Sequence, residues 1–146
     1  MNTNPTSLKK NGWIWIIPAA IAVMVISVAI LILYMMAYGR LINPGQTAAH
    51  YLAHAKASAP YSTVLVGMPL MFLMCLWLGG KFAAQLVITA ALLVWLVYCL
   101  IDMTLLMLGG ELSRLPFFFV ISYLTKLPAA YLGGFAARKR LVAASV

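Results

Sequence analysis

The chain has 146 residues, 65% of them apolar and only 8% charged; ten lysines and arginines against two acids give a formal net charge of +8. An ordinary soluble domain is roughly 45–50% apolar and about 25% charged, and a disordered chain is poor in apolar side chains, so both classes are excluded. A hydrocarbon core about 30 Å thick takes roughly 20 helical residues per crossing, which leaves room for four crossings with short loops and none for a separate catalytic module.

The first apolar run, residues 13–38, follows Lys9 and Lys10 and precedes Arg40, with no charge between. It is too long for the apolar region of a signal peptide, usually about 7–15 residues, and reads as a retained helix. The longest connection, 41–60, opens on the turn signal Asn43-Pro44-Gly45 and continues into an alanine-rich stretch, 46–59. Ala48, Leu52, Ala55 and Ala59 recur there at helical spacing, predicting a short interfacial helix along the outer membrane surface. The second run, 61–78, is closed by Gly79, Gly80 and Lys81; the third, 82–108, by Gly109 and Gly110; the fourth, 115–137, by Arg138, Lys139 and Arg140.

Leu-Gly-Gly recurs at Leu78, Leu108 and Leu132, but the intervals of 30 and 24 residues keep no period, and glycine is an ordinary helix stop. Backbone groups in lipid must be satisfied internally, and the runs lack the alternation of barrel strands. The expected fold is an all-α four-helix transmembrane bundle, a single domain over 1–146, with the interfacial helix between helices 1 and 2.

Nearly every lysine and arginine sits at the end of an apolar run, which is the pattern of membrane topology rather than of nucleic-acid binding. With the N-terminus inside, Lys9, Lys10, Lys81, Arg138, Lys139 and Arg140 are cytoplasmic, against Arg40, Lys56 and Arg114 outside. The positive-inside rule therefore places both termini in the cytoplasm, with the terminal Arg-Lys-Arg anchoring the last helix against anionic lipid.

His50 and His54 are four apart on one face of the interfacial helix, a spacing that can hold a metal. Only Glu111 could add a third ligand, so polar-face histidines are the expectation and no cofactor is implied. A transverse haem takes axial ligands from within helices, and no histidine lies inside a span. Cys75 and Cys99 differ in depth by roughly 20 Å at 1.5 Å per residue, too far for a disulfide, and no Cys-x-x-Cys occurs. With Asp102 and Glu111 as its only acids and no nucleophile elbow, phosphate loop or His-Glu-x-x-His helix, the chain is not expected to be an enzyme.

Two ionisable residues fall within spans. Lys126 is 11 residues from both Leu115 and Ala137, about 16 Å from either surface and beyond snorkelling range. Asp102 lies about 9 Å below the outer surface on the same rise. Side chains lean toward a helix N-terminus, so in antiparallel helices 3 and 4 these two lean toward each other. A charge at mid-helix costs roughly 2.5–3.5 kcal/mol on insertion scales, which makes an intramembrane ion pair the expected compensation. The stripe Gln85, Ile88, Ala91, Trp95, Cys99 and Asp102 should face Ser122, Lys126, Ala129, Gly133 and Ala137. Pro69 and Pro128 should free backbone carbonyls that help receive the ammonium.

The resulting expectation is a small multi-pass inner-membrane protein acting through helix packing, as an accessory or assembly subunit or a homo-oligomer. The alternative is a minimal oligomeric transporter or channel that uses Asp102 and Lys126.

Overall fold

The computed structural model describes residues 12–108 and 117–144, and every regular element among them is helical. Helix α1 (Ile16–Ala37) is entered through a 3₁₀ turn, Gly12–Trp15, and leaves through a π turn, Tyr38–Ile42, closed by Asn43 N–H donating to the Tyr38 carbonyl at 2.9 Å. Gly45, at φ +79°, reverses the chain in the left-handed conformation that a β-carbon disfavours. Thr47 then caps helix α2 (Ala48–Leu65), its hydroxyl accepting from His50 N–H. Helices α3 (Gly67–Gly79), α4 (Val87–Leu108) and α5 (Phe117–Ala143) complete the chain.

The interfacial helix is not a separate element. Helices α2 and α3 run on through Val66 as one helical stretch of 32 residues, Ala48–Gly79. Val66 keeps helical dihedrals, with its N–H bonded to Ser62 and its carbonyl to Leu70 N–H. The interruption falls here because Pro69 offers no N–H to the Leu65 carbonyl and its ring crowds that group. Pro60, where the loop was expected to end, is carried inside α2. At 1.5 Å per residue this stretch is about 48 Å long, more than the roughly 30 Å that a hydrocarbon core requires. The third apolar run begins its helix at Val87 rather than at residue 82, and α5 continues through the terminal basic cluster to Ala143.

Gly12–Ile42, Ala48–Gly79 and Val87–Leu108 are long and apolar enough to cross a membrane; α5 is not a span candidate by that measure. The α3–α4 pair is central, and both α1 and α5 pack against each of its members. Contacts between Gly67 and Lys126, Cys75 and Gly133, and Gly79 and Ala137 make α3 and α5 parallel. Tyr98 with Lys126 and Ala91 with Gly134 make α4 and α5 antiparallel.

In lipid, helices are held by van der Waals packing and hydrogen bonds rather than by burial from water, so close approach matters most. Glycine provides it between α3 and α5. A β-carbon on Gly133 would stand 2.5 Å from the Phe72 carbonyl oxygen and 3.0 Å from Cys75 Cβ; Gly79 meets Ala137 in the same way. The stripe carrying Lys126, Gly133 and Ala137 therefore lies principally against α3, not against α4 as expected. Helix α4 meets the adjacent face of α5, where Gly134 rests on Ala91.

Candidate functional site

Lys126 occupies the point where α3, α4 and α5 converge. It is fully buried, at 0% exposure, and is the largest of the fully enclosed side chains among the described residues. Helix α5 sets Ser122 one turn before it, and the ammonium donates to Ser122 Oγ at 2.9 Å. From α4, Tyr98 offers its hydroxyl oxygen at 2.8 Å and its ring face at 4.4 Å from Nζ. From α3, Gly67 leaves the room that the lysine stem fills, since a β-carbon there would lie 2.5 Å from Lys126 Cε. Three helices thus each supply one feature of the lysine's enclosure.

Asp102 stands one helical turn beyond Tyr98 on α4 and is half-buried. Its Oδ2 accepts from the Tyr123 hydroxyl at 2.9 Å, while the Trp95 indole N–H donates to the Tyr123 carbonyl at 3.0 Å. The structure brings Asp102 and Lys126 into one polar neighbourhood but not into contact. The ammonium is bonded to two neutral hydroxyls, and the carboxylate to a third. The ammonium's hydrogen bonds go to the Tyr98 and Ser122 hydroxyls rather than to the Asp102 carboxylate or to carbonyls freed by proline.

Sequence reasoning placed Ser122 in the right stripe but did not use either tyrosine. The signal was available in the spacing: Tyr98 precedes Asp102 by four residues, as Ser122 precedes Lys126, which sets each pair on one helix face. Among the described residues no buried side-chain nitrogen or oxygen lacks a hydrogen-bond partner, so the site is a closed network.

The two histidines belong to a different cluster, which clasps the end of α1 to the start of α2. His54 stacks on Tyr38 with ring centroids 3.8 Å apart and an interplanar angle of 7°, and its Nε2 pairs with the Tyr34 hydroxyl at 3.0 Å. The Asn43 side-chain amide meets His50 Nε2 at 3.3 Å, and the Tyr51 hydroxyl donates to the Asn43 carbonyl at 2.8 Å. The two Nε2 atoms thus serve different partners rather than converging on one point. No group of three or more His, Cys, Asp or Glu side chains suited to a metal occurs among the described residues, and Glu111, the third ligand considered, lies outside them. Cys75 and Cys99 are both free thiols.

Compared with protein-family models, with curated proteins and with solved structures, the chain matches none.

Proposed function

We propose that this is a small multi-pass inner-membrane protein that acts through helix packing, as an accessory or assembly subunit or as a homo-oligomer. The observation that carries this reading is the complete enclosure of Lys126. A residue that hands on an ion or proton must be reached along a polar path, whereas one that locks helices together is best sealed. Lys126 is sealed, and its hydrogen bonds tie two helices together while its stem fits the glycine gap of a third.

The same enclosure supports α5 as a fourth crossing. An averaged hydropathy counts Lys126 as though lipid met it, yet Lys126 and Ser122 are turned inward. Val120, Leu124, Leu132 and Phe135 are presented outward, where lipid or another apolar helix would meet them. Helix α5 also lies alongside two span candidates over most of its length. Four crossings put both termini on one side, and the distribution of lysine and arginine favours the cytoplasm.

Reconstitution into sealed vesicles separates packing from transport. The protein should carry no ion or proton flux above that of empty vesicles, and Asp102→Asn should change its melting temperature or assembly. Flux in the wild type that is lost in an Asp102→Asn variant of unaltered stability would overturn the packing role. For orientation, His54→Cys in a protein lacking Cys75 and Cys99 should react with an impermeant thiol reagent added outside intact cells, and Ala144→Cys should not. The opposite pattern rejects the cytoplasmic termini.

A further inference from the structure

Helices α1 and α3 diverge on one face to leave a groove of about 390 Å³. Its floor includes Ala19 and Ala22, its walls Leu70 and Leu73, and its mouth Trp15 and Trp77. The mouth carries a charge. Lys81 Nζ sits 4.7 Å from the Trp15 ring centroid and 4.6 Å from that of Trp77, and the two indoles meet edge-on at 5.9 Å. The lysine's backbone is held in place: its N–H bonds to the Leu78 carbonyl at 2.9 Å, and Gly12 approaches its carbonyl so closely that a β-carbon there would lie 2.9 Å from the oxygen.

We propose that this groove binds one anionic phospholipid of the surrounding bilayer, an acyl chain lying between α1 and α3 and the phosphate resting on Lys81. The inference rests on α1 and α3 lying in the bilayer and not on the packing role of Lys126. The groove follows α1 for about 10 Å from Trp15 to Ala22 and is lined by apolar side chains throughout, and a hydrocarbon chain is the apolar object the membrane supplies in quantity.

Charge decides between headgroups. Asp102, the one acid among the described residues, is bonded to Tyr123 and lies toward the other end of α4, away from the loop that holds Lys81. The two indoles steer the Lys81 ammonium through their ring faces but offer no oxygen to accept its protons. A phosphate oxygen at the bilayer surface meets that need, at the depth where tryptophan and lysine ordinarily anchor helices.

Native mass spectrometry of delipidated protein given dioleoyl phosphatidylglycerol or dioleoyl phosphatidylcholine tests the site. One phosphatidylglycerol should be retained in preference to phosphatidylcholine. Lys81→Gln should weaken phosphatidylglycerol binding about fivefold and that of phosphatidylcholine, whose phosphate is offset by its own choline, by much less. Ala22→Phe, which fills the floor, should weaken both, and Arg40→Gln, exposed beyond the opposite end of α1, should change neither. Thermal melts of the same samples verify folding; if Ala22→Phe does not fold, the lipid preference of Lys81→Gln decides. Equal retention of the two lipids, a preference that survives Lys81→Gln, or a dimer whose formation excludes lipid would each overturn the proposal.

Discussion

The Lys126 junction and the tyrosine–histidine clasp are both polar clusters that join helices, yet they stand in opposite surroundings. At the junction, Lys126, Ser122 and Tyr98 are 0%, 2% and 3% exposed, and every bond lost there is lost with no water to replace it. At the clasp, the hydrogen bonds of His50 and His54 are exposed, so solvent can take the place of either partner. The clasp has more aromatic contacts, but the junction is where a single atom should matter.

The largest contrast should come from glycine. Gly133→Leu drives a side chain into the Phe72 backbone and parts α3 from α5, with an expected loss of about 3 kcal/mol in a reversible unfolding assay in detergent or bicelles. Gly39→Ala in the clasp adds a β-carbon 3.4 Å from the Tyr51 ring, an edge that can give way, and should stay within about 0.5 kcal/mol. Comparable losses at the two sites would erase the distinction between a sealed and an open cluster.

The next contrast removes one hydroxyl from each region. Tyr98→Phe withdraws an acceptor from a buried ammonium and should cost about 2 kcal/mol, within the range for hydrogen bonds to charged groups. Tyr34→Phe withdraws the partner of an exposed imidazole and should cost about 0.5 kcal/mol or less. The same unfolding assay gives both values, and a costlier Tyr34→Phe would show the clasp to be the more important joint.

The two regions also differ in how far they could be read from sequence. The first apolar run and its basic flanks locate α1, because composition alone separates lipid-facing helix from loop. Helix α2 was expected as an isolated surface helix, since Pro60 and the drop in hydropathy resemble a boundary. The backbone carries Pro60 inside the helix and continues through Val66 into α3, losing only the helical bond that Pro69 cannot donate to the Leu65 carbonyl. The polar residues of the junction were legible individually but their partners were not. Charge suggests that a lysine seeks an acid, whereas packing gave Lys126 the hydroxyls of Tyr98 and Ser122, and the glycines of α3 brought a helix against it that hydropathy treats as uniform apolar span.

The central claim is that the Lys126 ammonium is held by neighbouring hydroxyls rather than by direct contact with Asp102. Two double-mutant cycles that share Lys126→Met measure it in one unfolding experiment, one paired with Tyr98→Phe and the other with Asp102→Asn. A coupling of about 1.5–3 kcal/mol to Tyr98, larger than that to Asp102, is the expected result. Coupling concentrated in the Asp102 cycle, with Tyr98 and Lys126 additive, would contradict it.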